Sequence, residues 1–223
     1  METFATIKVS IVLRPLFMTM DVKERIKEKA FEMFLRFGIR SVSMDEIAGQ
    51  LGMSKKTLYQ HFSEKDELVE AVVLEDIKHD QRDCILACSS ASNAVEEVFR
   101  IMEFVLHQLR DMNPMVLYDL KKFHPRAFAH FERHKDEFML KLVRENMARG
   151  IKEELYRPDI NLDILSKFRL ESMFIPFDMD VYPVNKYNVA VVTREIMEHF
   201  VFGLATPKGH KLIQKYKSEF QNK

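Results

Sequence analysis

The segment SVSMDEIAGQLGMSKKTLYQHF, Ser41 to Phe62, sets two short amphipathic stretches on either side of Gly52. Ser43 with Glu46 three residues on has the pattern of a capping box and predicts a helix ending near Leu51. Ser54 caps a second predicted helix that runs to Phe62. At about 100° per residue, Leu58 and Phe62 of that second helix fall on one side. Lys56, Thr57 and Gln60 cluster roughly opposite, with Lys55 and Tyr59 on the flank. No acid occurs from Ile47 to Ser63, so the outward side is electropositive and rich in hydrogen-bond donors.

Two helices this short, joined by a tight turn, have the proportions of a helix-turn-helix, whose second helix enters the major groove of DNA. Gln can pair bidentately with adenine, Lys can donate to guanine, and Tyr and Thr hydroxyls reach phosphate oxygens. The plainer reading makes Lys55 and Lys56 a solvated face of a small bundle. On chemistry alone the two readings stand level.

Composition bounds both. The chain has 223 residues, 47% hydrophobic and 30% charged, with six Gly and seven Pro, the balance of a helix-rich globular protein rather than an all-β one. Lys plus Arg equals Asp plus Glu at 34 each, so any nucleic-acid binding is local. Cys84 and Cys88 stand one helical turn apart and read as reduced thiols, which suits a cytoplasmic protein. The apolar opening is broken by Lys8, Arg14 and Pro15, is too short to span a bilayer and lacks the pattern of a signal peptide. It is expected to be an N-terminal arm over residues 1–19, with Met18 and Met20 as alternative starts.

Helical periodicity covers the rest, and the expected fold class is all-α. Val22, Ile26, Ala30, Phe34 and Phe37 share one face of a first helix ended by Gly38. Ser63 is expected to cap a long fourth helix, and Asn93 with Glu96 opens a stripe from Val95 to Leu109. Pro114 and Pro125 mark further starts. Gly150 is expected to close the helix carrying Phe131, Phe138 and Leu142. An apolar helix follows from about Leu162 to Ile175, then helices from about Lys186 to Leu204 and from Pro207 to Phe220.

The run ERIKEKAFEMFLRFGIRSVSMDEIAGQLGMSKKTLYQHFSEKDELVEAVV resembles the N-terminal domain of the TetR family of transcriptional regulators. The matching features are Ala30-Phe34-Gly38, Ser43 before MDEIA, GMSKKTLYQHF and SEKDEL, ungapped over about fifty residues. The resemblance implies that Lys55, Lys56 and Gln60 face bases, and that Ser43, Thr57, Tyr59, His61 and Lys65 hold phosphates. It further implies a head at residues 20–65 and a helical ligand-binding and dimerisation domain at 66–223. Lys56 stands where relatives often carry a small residue, so no relative's operator can be borrowed. Glu64, Asp66 and Glu67 weaken the field around Lys65.

By the same analogy the last two helices pair with their twofold mates, with Val189, Val192, Ile196, Phe200 and Gly203 at the interface; burial within one protomer explains the same stripe. A small apolar effector is expected among Met102, Phe131, Phe138, Met139, Phe168, Met173 and Phe174, since thioethers repack around varied shapes. For any one of these residues, ordinary core is the simpler account. The expected regulator, more a repressor than an activator, binds a palindromic double-stranded operator as a homodimer and uses no cofactor. A DNA-binding architectural protein without a switch is the alternative, with five Lys against one Glu in the tail from Lys208 adding phosphate contacts.

An enzyme is not expected, and no catalytic residue is assigned. No G-x-S-x-G, P-loop or Gly-rich dinucleotide turn occurs. His130 and His134, with His124 nearby, sit at metal-ligand spacing, but Glu132 is out of place for the metalloprotease motif. Solvated histidines, and no metal, are the expectation there. His79, Cys84 and Cys88 lack a second pair at zinc-site spacing.

Overall fold

The computed structural model describes residues 21–110 and 112–221; the arm expected at 1–19 lies outside them. Within the described residues the chain is all-α, with no strand beyond an isolated bridge between Tyr156 and Ala205.

Helices α1 (Val22–Phe37), α2 (Met44–Gln50), α3 (Lys55–His61) and the start of α4 (Lys65–Ser90) enclose one core around Ile26, Ala30, Phe34, Ile47, Leu58 and Phe62. Phe37 departs from the expected face: it ends the helix 48% exposed, and Met33 is buried instead. Both caps of the opening segment form. The Ser43 N–H donates to Glu46 Oε2 at 2.7 Å while Ser43 Oγ accepts the Glu46 N–H at 3.2 Å, and Ser54 Oγ accepts the Thr57 N–H at 3.1 Å. Gly52, at φ 63°, turns the chain between α2 and α3, a conformation that costs a residue with a Cβ more than glycine.

The fourth helix begins differently from expectation. Glu64 is its N-terminal flanking residue, extended at φ −149°, and makes no side-chain cap. Ser63 instead donates its N–H and hydroxyl to Glu67 Oε2, at 2.7 and 2.9 Å.

A second core joins α5 (Ala94–Leu109), α8 (Leu140–Lys152), α10 (Val189–Leu204) and α11 (Pro207–Gln221) around Val95, Phe99, Met147, Tyr156, Val201 and Ile213. The helix expected to end at Gly150 is α7 (Pro125–Arg133) running through a π-helical turn, His134–Met139, into α8, which continues to Lys152. Gly150 has another reason to be glycine: a Cβ there would lie 2.0 Å from Cδ2 of Tyr156. The helix expected to reach Ile175 is α9, Leu162–Ser172, followed by a 3-10 turn at Ile175–Phe177 that contains Pro176. The start expected near Lys186 falls at Val189, because the Asn188 side chain accepts the Val191 N–H at 3.2 Å and caps the helix there.

The two cores are tied together at two places. Leu120 of α6 (Met115–Phe123) and Ala127 of α7 complete the first core. The Asn113 N–H donates to the Leu35 carbonyl at 2.7 Å, and Asp119 Oδ2 accepts the Arg40 N–H at 2.9 Å, so α6 grips the chain at the end of α1. Along α4, His124 meets Asp66 at 2.8 Å, His130 meets Glu70 at 2.9 Å and His134 meets Asp80 at 3.0 Å. The expectation of solvated histidines is therefore corrected: His124 and His134 are each only 7% exposed, because α4 supplies carboxylates along the face that α7 covers. Among the described residues no three His, Cys, Asp or Glu are placed to hold a metal ion. Cys84 and Cys88 are free thiols, both pushed up to about 12, chiefly by burial.

Candidate nucleic-acid interface

Helix α3 is seven residues long and is steadied from behind by Leu58 at 0% and Phe62 at 1% exposure. Lys55, Lys56, Tyr59 and Gln60 are exposed, and Thr57 and His61 partly so. Lys56, Tyr59 and Gln60 make no side-chain hydrogen bond to another described residue, and Tyr59 stands 46% exposed. A short rod with a buried back and free donors in front has the dimensions of a major-groove reading element.

Of the rest of the expected set, Lys55, Thr57, Ser43 and Lys65 already have partners. Lys55 is ion-paired with Asp45 of α2, which raises the affinity of its ammonium for its proton through the hydrogen bond and the charge. The Thr57 hydroxyl shares a hydrogen bond with Ser54 at 2.8 Å, and that of Ser43 donates to Glu46 at 2.8 Å. Lys65 turns away from solvent: its ammonium donates to the Ile39 carbonyl at 2.5 Å, and desolvation lowers its pKa.

Residues 26–72 match the family profile "Bacterial regulatory proteins, tetR family". Its DNA-binding head belongs to the TetR family. The body aligns as well: the HTH-type transcriptional regulator YvaF of Bacillus subtilis (strain 168) is 29% identical over 182 residues, 80% of this chain and 90% of that protein. Two solved regulators share the fold. One, from Saccharomonospora viridis in complex with choline, has a TM-score of 0.69 at 16% identity over 82% of this chain and 97% of its own. The other, FadR of Bacillus subtilis in complex with stearoyl-CoA, has a TM-score of 0.58 at 14% identity over 81% and 97%. The chain is thus a helix-turn-helix transcriptional regulator, with the fold and relatives of regulators rather than of enzymes.

In this family framework the seven expected effector residues do not form one cluster. Phe131 and Phe174 meet edge to face at 5.6 Å, Phe138 stacks on His134 at 5.2 Å, and Met102 lies in the second core. Phe168 is 55% exposed and packs on Phe200 at 6.2 Å. A cleft of about 370 Å³ on the outer side of α8 is lined mainly by charged side chains, among them Asp136, Lys141 and Arg144, and by none of the seven. Of the expected dimer residues, Val189 and Val192 are buried within the protomer, Ile196 and Phe200 half-buried, and Gly203 exposed. The outward side of α11 is polar, with Lys208, Lys211, Gln214 and Lys215 exposed, whereas Val191 of α10 and Ile164 of α9 are bare at 53% and 61%. No helix among the described residues is long and apolar enough to cross a membrane.

Proposed function

We propose that this regulator binds a palindromic operator as a homodimer, represses transcription there, and is released by a small effector held in the helical body. The free outward face of α3 carries the reading. Lys56 and Gln60 would contact bases, joined by Lys55 once it exchanges Asp45 for DNA, and Tyr59, Thr57, His61 and Ser43 would meet phosphates. Lys65 is better read as a brace that holds the α1–α2 turn. A dimer places two such helices about 34–36 Å apart on successive groove faces. Exposed Val191 and Gly203, with Ile196 and Phe200 at their edge, are the surface of α10 available for it.

The effector reading is supported by the two neighbours solved with choline and stearoyl-CoA. It is also supported by the grip of α6 on α1, through which a shift in the body would tilt α3. Such an effector must bind the released geometry more tightly than the DNA-bound one.

Fluorescence anisotropy on DNA from upstream of the chain's own gene tests the reading. Saturable binding that is lost when Lys56 and Gln60 are both replaced by Ala is the expected result. Binding indifferent to that double substitution would overturn it.

A further inference from the structure

Arg169 lies in the last turn of α9, only 7% exposed, and no carboxylate among the described residues reaches it. The neighbouring acids are engaged elsewhere: Glu171 with Lys135 at 2.9 Å, Asp163 with Lys167 at 3.2 Å, and Glu198 with Lys217. Burial lowers the Arg169 pKa to about 10 with no acid opposing it, so the group remains a cation at neutral pH. Its guanidinium carbon lies over the Phe200 ring, 5.5 Å from the centroid. Its side chain makes one long hydrogen bond to a described residue, 3.4 Å to the Ser172 hydroxyl. A buried charge with its donors this poorly matched is costly unless something anionic completes it.

A second polar group on the facing helix is also unmatched. The hydroxyl of Thr193 is buried with no hydrogen-bond partner among the described residues. Thr193 precedes Phe200 by two turns on the same side of α10, about 10 Å along the axis. Phe168, exposed on the same helix, packs on the same Phe200 ring at 6.2 Å, so the guanidinium has an aromatic pair beside it.

We propose that Arg169 receives the anionic head of a small amphiphile, a carboxylate or a phosphate monoester, between α9 and α10. The fork of the guanidinium matches either head bidentately. The body of the ligand runs along α10 past Phe200 and brings a polar group toward Thr193. This proposal rests on the effector reading above and specifies its chemistry: the effector is apolar in body and anionic at one end.

The test uses the full chain with decanoate, decyl phosphate and decyltrimethylammonium as probes, each below its micelle concentration, and reads thermal unfolding, dimer mass and operator affinity. At about a hundred times Kd an anionic probe should raise Tm by roughly 5–10 °C, and the cation should not. Which anion acts distinguishes carboxylate from phosphate. Arg169→Leu should abolish the shift and raise the unliganded Tm, because it removes an uncompensated buried charge, while Arg169→Lys should retain a weaker shift. No shift with either anion overturns the site, as does an Arg169→Leu protein that loses its dimer, which would assign the guanidinium to an acid of the second copy. Anion binding that leaves operator affinity unchanged keeps the site and removes the effector reading.

Discussion

The carboxylate of Asp45 on α2 holds the ammonium of Lys55 on α3, ten residues on across the helix-turn-helix. Lys55 therefore presents itself to DNA already neutralised, and binding must exchange one anion for another. Replacing Asp45 with Asn frees that charge. Affinity for duplex DNA should rise, because Lys55 no longer has to give up a carboxylate to reach the bases. Titrations of the variant against the parent check this, and an unchanged affinity would show that Lys55 takes no part in binding.

Gln60 and Tyr59 are adjacent but should behave differently. Gln60→Ala should relax preference at one operator position by about 1–3 kcal/mol. Tyr59→Phe should weaken binding to all sequences alike, because its hydroxyl is assigned to phosphate. Affinities across a library of single-base operator variants separate the two, and a Tyr59→Phe loss confined to one variant contradicts the assignment.

Acid should weaken the head by removing the carboxylates that hold its helix starts. Glu46 and Glu67 are held below the usual carboxylate range, chiefly by the backbone N–H groups of Ser43 and Ser63 and then by their hydroxyls. A carboxyl with a depressed folded pKa contributes stability that is fully present above its unfolded value, 4.5 for these groups, and is lost as pH falls through the folded value. Amide exchange of α2 and α4 should accelerate below that point. In the Glu46→Gln, Glu67→Gln double variant the acceleration should be smaller, and an identical profile would show that these boxes do not govern it.

Gly150→Ala tests the second core. The added methyl would meet the Tyr156 ring, which is buried and whose hydroxyl lies 3.3 Å from both the Ala94 carbonyl and Asn146 Oδ1. Neither helix nor ring has room to yield, so a loss of about 1–3 kcal/mol in urea unfolding is expected. Operator contacts should survive in the folded fraction, since the site is remote from α3.

The head was readable from residues 41–62 because its determinants are local. Caps act over three residues, the turn needs a glycine at Gly52, and a buried back leaves its opposite face outward. The resemblance over some fifty residues then supplied the functional assignment that chemistry alone left level. Start signals such as Asn93 and Pro125 were legible for the same reason. Where expectation failed, the deciding partner was distant in sequence. Gly150 looked like a helix end until Tyr156 was seen against it, and His130 and His134 looked solvated until α4 brought Glu70 and Asp80 to them. Lys65, expected at a phosphate, donates to the Ile39 carbonyl, a contact no local pattern shows.

Sequence by itself thus determined the helical class, the short helix Lys55–His61 and the caps that build it, because periodicity and capping are short-range. Only tertiary structure decided which charges are already matched. Asp45 and Lys55 neutralise one another, while Arg169, in a helix that also carries Asp163, Lys167 and Glu171, is buried with no acid among the described residues to pair it. Pairing between elements depends on which faces the packing brings together, and no spacing along the chain encodes that.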